Sequence, residues 1–334
     1  MKVLFLIQGQ SVAASRYRVL QYLPYLNSRG VEATVSRYPK GLKENLRFFK
    51  SLSQYDLIFL QRKRFNQPRL GWMRKRAKRI IYDFDDSVMY RNSKAEDPIS
   101  SSRRRRFIQM IKNSDFVIAG NEFLKKEALL FNSNVEVIPT AIDQERYHLK
   151  AYPVQQEKVV LGWIGDHGSI HYLEKMRPVF ERIGEKYPHA ELKIVCDIFF
   201  DCHRLKVIKK NWSAGEEVHD LQSFDIGLMP LVDDPWSWGK CGLKIIQYQG
   251  VGVPVVCTPV GINKDLVEDA KNGYWAMTPE EWERKLSLLI ENAELRERMG
   301  REGRKKVMEN YTYQVCAPRL FSVLTRIMEG RRLD

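Results

Sequence analysis

The chain has 334 residues, 44% of them hydrophobic, which is enough for two α/β domains. No apolar run comes near the ~20 residues of a membrane-spanning helix, and the apolar start at residues 1–8 is too short for a signal peptide. Five scattered cysteines without paired spacing argue against a disulfide framework or a zinc site and favour a reduced, cytoplasmic protein.

The positive charge is concentrated in the first half of the chain. The net charge is +14, and residues 1–150 hold 29 Lys and Arg against 14 Asp and Glu. The densest parts are Arg62–Arg64, Arg69–Arg79 and Arg103–Arg106. Such a surface favours an anionic membrane leaflet, an anionic glycan or nucleic acid, although an ordinary solvated face is the alternative.

The first elements predict a doubly wound parallel sheet. Residues 3–7 form a strand, a helix runs from Ser15 to about Ser28, and residues 31–36 form the next strand. Strands at 55–60 and 80–82 follow in the same pattern. Ligands of such sheets bind beyond the carboxyl ends of the strands.

Three carboxylates stand at the end of the strand at 80–82, in the sequence Asp83-Phe-Asp85-Asp86-Ser. Crowded carboxylates are costly unless a cation or a function accounts for them. A metal site, a helix N-cap and a catalytic or acceptor-binding role all fit this pattern. Of the three, catalysis or acceptor binding is favoured over capping, with metal last.

The rest of the first half completes one domain. A helix follows the Arg103 run, a strand begins at Asp115, a helix covers 121–131, and a last strand covers 135–143. The polar residues 144–158 form the predicted linker. The predicted N-terminal domain is 1–150, joined by a C-terminal helix at 315–334, and the C-terminal domain is 151–314.

The second half begins with a buried strand at 159–164. Gly165 follows it in a glycine-flanked turn whose backbone N–H groups are suited to a phosphate or a sugar. A helix at 171–186, a strand at 192–197 and a helix at 216–224 come next. A strand at 226–231, a helix opening near Gly242 and a strand at 254–257 form a βαβ unit, and 266–310 is mostly helical.

The helix that opens near Gly242 carries the candidate donor site. Lys240, Lys244 and Gln247 have the i, i+4, i+7 spacing of one helix face. Two cations beside the free N–H groups of a helix start form a good seat for phosphate. A solvated polar stripe on an amphipathic helix explains the same spacing about equally well.

Residues 239–248 and 252–256 carry a resemblance to a known family. Gly239-Lys-Cys-Gly-Leu-Lys-Ile-Ile-Gln-Tyr and Gly252-Val-Pro-Val-Val resemble the nucleotide-sugar segment of family-four glycosyltransferases, which are retaining enzymes of GT-B architecture. The usual two glutamates of that family fall on Gly239 and Gln247, as in one branch of the family. The resemblance implies two Rossmann-like domains that face each other across a cleft.

The resemblance also implies a function and residue roles. It implies a metal-independent glycosyltransferase without a cofactor, acting on a nucleotide-sugar of UDP or GDP type and a glycan or lipid-linked acceptor. Asp85 or Asp86 would be catalytic, and Arg16 and Arg18 would lie on the acceptor side. Spacing and resemblance together assign donor binding to four residues, Gly165, Lys240, Lys244 and Gln247, and the roles of the two lysines are inferred from their position and not from the family.

The expected setting is the cytoplasm, on the inner face of the cell membrane, in the assembly of surface polysaccharide or glycolipid. No nucleic-acid partner is expected of the enzyme. The alternative is a non-catalytic protein that kept the fold and uses its basic half for nucleic acid or membrane. A sugar-nucleotide epimerase has only fold-level support.

Overall fold

A computed structural model of the chain describes residues 1–39, 41–152 and 157–330. Its strands are β1 Lys2–Ile7, β2 Glu32–Arg37, β3 Leu57–Gln61, β4 Ile80–Phe84, β5 Phe116–Ala119, β6 Val135–Val137, β7 Val159–Ile164, β8 Ala190–Cys196, β9 Lys206–Asn211, β10 Ile226–Met229, β11 Val255–Cys257 and β12 Gly273–Trp275.

Helices occupy most of the connections between strands. They are α1 Ala13–Arg18, α2 Leu23–Ser28, α3 Leu42–Ser51, α4 Gln67–Arg76, α5 Ser101–Lys112, α6 Glu122–Leu129, α7 Ile170–Glu174, α8 Arg177–Lys186, α9 Glu217–Gln222, α10 Pro235–Trp238, α11 Leu243–Gly250, α12 Asn263–Leu266, α13 Pro279–Glu291, α14 Ala293–Asn310 and α15 Tyr313–Met328.

The chain divides into two compact units. Unit 1 contains Met1–Ala141, Asp234–Cys241 and the described residues from Tyr313 onward, and unit 2 contains Ile142–Asp233 and Gly242–Thr312. The domain bounds expected from the sequence stay predictions. Residues 153–156 of the predicted linker and 331–334 of the predicted C-terminal helix lie outside the described residues.

Unit 1 is built on one parallel sheet in the order β2-β1-β3-β4-β5-β6. Successive side chains of β1 point to opposite faces, as the pleat requires. Val3, Phe5 and Ile7 pack with α2 and α15, whereas Leu4 and Leu6 pack with α3 to α6. Covering both faces is what a parallel sheet needs, and it explains why β1 is apolar at nearly every position.

Unit 2 repeats the arrangement in the order β12-β11-β10-β7-β8-β9, again all parallel. In both sheets the strand order reverses next to the first strand, between β1 and β3 in unit 1 and between β7 and β10 in unit 2. The prediction of two doubly wound α/β sheets is confirmed. The residues that follow β1, β3, β7 and β10 therefore lie where such folds bind ligands, and β4 is the next strand beside β3.

Two helices predicted as continuous are interrupted by proline. The helix expected from Ser15 to Ser28 is α1, a 3-10 turn and α2, and Pro24 stands in the first turn of α2. The helix expected at 171–186 is α7 and α8, with Pro178 in the first turn of α8. Proline lacks the N–H that would donate to the preceding turn, so each helix restarts there.

The sequence did not predict β9 or β12. Strand β9 lies at the edge of its sheet and is Lys-rich and partly exposed, so it lacks an apolar pattern. Strand β12 has only three residues, inside a region predicted to be mostly helical. Each pairs in parallel with a buried neighbour, so tertiary pairing rather than local sequence makes them strands.

Candidate functional site

A buried ion pair underlies the carboxyl end of β4 in unit 1. Nε of Arg18 donates to both carboxylate oxygens of Asp83 at 3.0 and 2.9 Å, and Nη1 donates to the Ile138 carbonyl at 3.1 Å. Burial disfavours the Arg18 cation, but the adjacent Asp83 carboxylate raises the pKa of Arg18 above its ordinary value. With its donors engaged inside the unit, Arg18 supports the loop that follows Asp83.

Arg62 lies at the end of β3 in a conformation that side chains rarely adopt. Its φ is 59°, and its backbone N–H donates to the Asp83 carbonyl at 2.7 Å. Its Nε lies 3.2 Å from Asp85 Oδ1, and its Nη2 contacts Asp86 Oδ2. Left-handed backbone at a non-glycine residue is costly and clusters at functional sites. Sequence reasoning counted Arg62 only as part of a basic run.

Lys240 reaches the same carboxylates from a distant part of the chain. The segment Asp234–Cys241 belongs to unit 1, where the Asn121 amide donates to the carbonyls of Trp238 and Lys240 at 3.1 and 2.9 Å. Lys240 Nζ lies 3.1 Å from Asp86 Oδ1. Asp86 is thus held by two cations, Arg62 and Lys240.

The prediction that Lys240 shares a helix face with Lys244 and Gln247 is wrong. Helix α11 begins at Leu243, and its N-cap Gly242 has a φ of 66°. Lys240 precedes this left-handed turn, so it is not on the helix. The i, i+4 spacing misled because the sequence pattern does not show where the helix starts.

Gly239 has no room for a side chain. A Cβ at this position would lie 2.1 Å from Ser87 Oγ and 2.7 Å from the Ser87 backbone nitrogen. At the neighbouring position, the Cys241 thiol donates to the Asp85 carbonyl at 3.2 Å. Burial, aided by Asp85, raises the pKa of Cys241 to about 12, so this thiol stays protonated and is no nucleophile. The close approach explains why a glycine stands where the resembled family has a glutamate.

Arg16 is half-buried on α1 and stacks on its neighbour. Its guanidinium carbon lies 5.1 Å from the centre of the Tyr17 ring, and Nη2 donates to the Tyr17 hydroxyl at 3.2 Å. The structure therefore brings together Asp85, Asp86 and Lys240, and places Arg18 beneath them through Asp83. The contacts described for Arg16 are those with its neighbour Tyr17.

In unit 2, Gly165 and Lys244 meet at one aromatic ring. Lys244 Nζ lies 5.3 Å from the centre of the Trp163 ring on β7. A Cβ at Gly165 would lie 2.3 Å from the same ring, so only glycine fits there. Two of the predicted donor-binding residues are thus close together at the carboxyl end of β7.

The turn after β7 already uses most of its backbone donors. The N–H of Gly165 donates to the Val195 carbonyl at 3.0 Å, and the N–H of His167 donates to Asp197 Oδ1 at 2.8 Å. The His167 ring lies 2.6 Å from Asp197 Oδ2, and this hydrogen bond is the main reason that the pKa of Asp197 falls to about 2. The sequence predicted that backbone N–H groups of this turn would bind a phosphate. Because Gly165 and His167 already use theirs within the protein, side chains are the better candidates for that contact.

Gln247 is buried in a chain of hydrogen bonds. Its amide donates to the Tyr147 hydroxyl at 2.9 Å, and that hydroxyl donates to Glu217 Oε1 at 3.0 Å. Trp212 Nε1 donates to the other oxygen of Glu217 at 3.1 Å. Glu217 is buried whereas the adjacent Glu216 is exposed, and Tyr147 fell in the predicted linker.

We expect Gln247→Glu to destabilise unit 2 by about 1–3 kcal/mol. Tyr147 has one hydroxyl proton, which already bonds Glu217, so a glutamate would put a second buried carboxylate beside the first and replace an amide donor by an acceptor. Thermal unfolding checks this. The matched control is Gln222→Glu, an amide to acid change on α9 at a half-exposed side chain that bonds only a carbonyl. Equal stability of the two variants would contradict the assignment.

The described residues show neither a metal cluster nor a membrane span. In residues 1–39, 41–152 and 157–330, no group of three or more His, Cys, Asp or Glu side chains is arranged to hold a metal ion. Over the same part of the chain, no helix is both long enough and apolar enough to cross a membrane.

Comparison with known proteins identifies part of the chain. Residues 226–306 match the family described as Glycosyl transferases group 1. Over 86 residues the chain is 31% identical to spore coat protein SA of Bacillus subtilis (strain 168), a match that covers 24% of this chain and 23% of that protein.

The glycosyltransferase likeness extends over nearly the whole fold. Anabaena HepE, solved in complex with UDP and glucose, superposes with a TM-score of 0.72 and 14% identity over 97% of this chain and 99% of that chain. Sucrose-phosphate synthase from Thermosynechococcus elongatus superposes with a TM-score of 0.72 and 13% identity over 98% of this chain and 99% of that chain. At such identities these likenesses show the fold, and the expected GT-B fold is confirmed.

Proposed function

We propose that the chain is a hexosyltransferase that moves a sugar from a nucleotide-sugar of UDP or GDP type to a glycan or lipid-linked acceptor, without a metal ion. The observation that carries the proposal is the glycosyltransferase group 1 match at residues 226–306, in a chain with the GT-B fold. HepE, solved with UDP-glucose, is the reason to test UDP sugars first. The setting we propose is surface polysaccharide or glycolipid assembly at the inner face of the membrane.

In the proposed reaction, the bond from the anomeric carbon to the donor phosphate breaks and a bond to the acceptor oxygen forms. We propose retention of configuration at that carbon. Negative charge grows on the leaving diphosphate, so cations near it stabilise the transition state more than the ground state. Lys244, beside Gly165 and Trp163, is our first candidate for this role, with Gln247 in contact with donor hydroxyls.

The acceptor hydroxyl loses a proton, and we assign its orientation or deprotonation to Asp85 or Asp86. Lys240 has two candidate tasks. It neutralises the leaving diphosphate, or it holds the Asp86 carboxylate, which the 3.1 Å contact supports. Arg18 acts through Asp83 on the same loop, and Arg16 remains a candidate for acceptor contact.

We expect Lys244→Gln to weaken nucleotide binding by on the order of 10- to 100-fold, because a charge-assisted contact is lost. The measurement is a thermal-shift panel of UDP, GDP, ADP, CMP and their sugars. A ligand at 100 times its dissociation constant adds about 2.7 kcal/mol to stability, which such a panel detects. Lys305→Gln, an exposed lysine on α14, is the control. A nucleotide shift that is as large in Lys244→Gln as in the wild type would refute the donor role.

One observation favours a second candidate, a non-catalytic protein that binds nucleic acid or membrane through its basic half. Gly239 has no room for the first glutamate of the resembled family, and Gln247 replaces the second. The same panel decides between the two. A binding protein of this kind would give no shift with any nucleotide, but steeply salt-dependent retention on RNA or DNA, or on anionic vesicles.

A further inference from the structure

Three arginines of unit 1 are gathered around the loop that follows Asp86. Arg64 lies just after β3, and Arg103 and Arg106 lie one turn apart on α5. The Arg64 guanidinium donates to the Val88 carbonyl, and Arg103 Nη1 donates to the Tyr90 carbonyl at 3.1 Å. Arg64 and Arg103 thus anchor the arginine cluster, as we call these three residues, to the loop that begins with the two candidate catalytic carboxylates, and Arg106 is the exposed member of the cluster.

The arginine cluster is not neutralised by the protein. Within the described chain, no carboxylate forms an ion pair with Arg64, Arg103 or Arg106; the partners of the first two are uncharged carbonyls. Arg104, on the same helix, instead lies 3.6 Å from Glu127. A carboxylate is thus within reach of one arginine of α5, but none of the three arginines of the cluster is paired with one in the described chain.

Holding these cations together is unfavourable in the protein alone. Burial lowers the pKa of Arg64, and the positive charges of Arg103, Arg106 and Arg62 lower it further. In addition, the first turn of α5 contains no acidic residue, so Arg103 stands near the positive end of the helix dipole without compensation. A bound anion would reverse both effects.

A merely solvated basic surface is the plain alternative. In such a surface the side chains extend into water and separate, as for Arg105, which is exposed and makes no contact within the described residues. Arg64 and Arg103 are half-buried, and backbone carbonyls fix the direction of their guanidiniums. Fixed guanidiniums with remaining N–H groups suit the oxygens of a phosphate, which they bind in pairs.

We propose that Arg64, Arg103 and Arg106 bind a phosphate or pyrophosphate group of the acceptor. That the ligand is the acceptor rests on the proposed transferase function. The inference adds the class of acceptor, which is a glycan that carries a phosphoryl group. The loop held by the arginine cluster links this group to the carboxylates, since Val88 and Tyr90 follow Asp86 by two and four residues. The site therefore selects acceptors by charge and fixes the loop that presents Asp85 and Asp86.

The test is arginine footprinting with phenylglyoxal, read by mass spectrometry at each arginine, with inorganic pyrophosphate as the probe. Pyrophosphate should protect Arg64, Arg103 and Arg106 and leave Arg105 reactive. In direct titration, R103Q/R106Q should bind pyrophosphate at least about tenfold more weakly than wild type. The matched control R105Q removes one charge from the same helix and should bind as wild type does. Absence of protection at the arginine cluster would overturn the proposal.

Two further arms separate the sources and the hypotheses. Phosphatidylglycerol and phosphatidylcholine vesicles replace pyrophosphate in the footprint; protection by phosphatidylglycerol alone, extending to Arg105, would overturn the proposal in favour of a membrane surface. K244Q, altered in unit 2, should keep the pyrophosphate footprint. The footprint needs no turnover, so the two hypotheses fail on different results. A protein that binds no nucleotide would refute the transferase function. Absence of protection at Arg64, Arg103 and Arg106 would refute the anion site.

Discussion

Arg18→Met should lower the free energy of unfolding of unit 1 by about 3–5 kcal/mol. The substitution removes the only cation that bonds the buried Asp83 carboxylate in the described chain, and it also leaves the Ile138 carbonyl without that donor. An uncompensated carboxylate in the interior is among the most destabilising defects that one substitution creates. Because Asp83 precedes Asp85 and Asp86, we expect the damage to spread to the candidate site.

Native-state hydrogen exchange of the amides in β1, β3 and β4 measures this loss within unit 1. Lys78→Met is the matched control, since it breaks an exposed ion pair with Asp56 at 2.9 Å and should cost at most about 1 kcal/mol. The double variant Arg18→Met/Asp83→Leu should recover much of the loss, because neither charge then remains buried. If Arg18→Met lowered the free energy of unfolding no more than Lys78→Met, the Arg18–Asp83 ion pair would not contribute the stability that we assign to it.

The fold was predictable because its strongest sequence signals are local. Mostly apolar strands of three to seven residues alternate with helical segments along most of the chain, and this alternation permits little besides parallel doubly wound sheets. The signal failed where local sequence was weak. Strand β9 is exposed and Lys-rich, and prolines 24 and 178 restart helices that periodicity alone made continuous.

The site was predictable only in part, because its geometry depends on contacts between distant residues. Asp85 and Asp86 could be found, since carboxylates at the end of a buried strand stand out. Arg62 could not be found in this way, because its left-handed backbone depends on a hydrogen bond to the distant Asp83 carbonyl. In the sequence it is only one of three consecutive basic residues. Glu217 was missed for the same reason: only the folded chain shows which of two adjacent glutamates is buried.

Lys240 shows how a sequence motif can suggest a geometry that the structure does not have. The residues from Gly239 to Tyr248 look like one segment, but unit 1 holds them up to Cys241 and unit 2 holds them from Gly242. Gly242 makes this passage possible with a φ of 66°, at a position where a Cβ would lie 2.2 Å from a Leu266 methyl. The motif thus joins two units in sequence, and its lysines have different neighbours.

The double variant Asp85→Asn/Asp86→Asn should lower kcat by about 10²- to 10⁴-fold, the usual loss when a positioned acid–base group is removed. Release of the nucleoside diphosphate from the donor in the absence of acceptor, where water replaces the acceptor hydroxyl, measures this without knowledge of the acceptor. Asp97→Asn, at an exposed acid of the same unit, should leave the rate unchanged. A double variant that still gives the nucleotide thermal shift and stays within about threefold of the wild-type rate would contradict the role.

The single variants then assign the task of Lys240 through a double-mutant cycle. If Lys240 holds the Asp86 carboxylate across their 3.1 Å contact, Lys240→Gln lowers kcat in the wild type but changes little in the Asp86→Asn background. If it neutralises the leaving diphosphate instead, the two losses multiply. In that case Lys240→Gln also weakens nucleotide binding, as Lys244→Gln does. The positioning role predicts non-additive losses with nucleotide binding intact, because the contact that Lys240 makes is then to the protein and not to the donor.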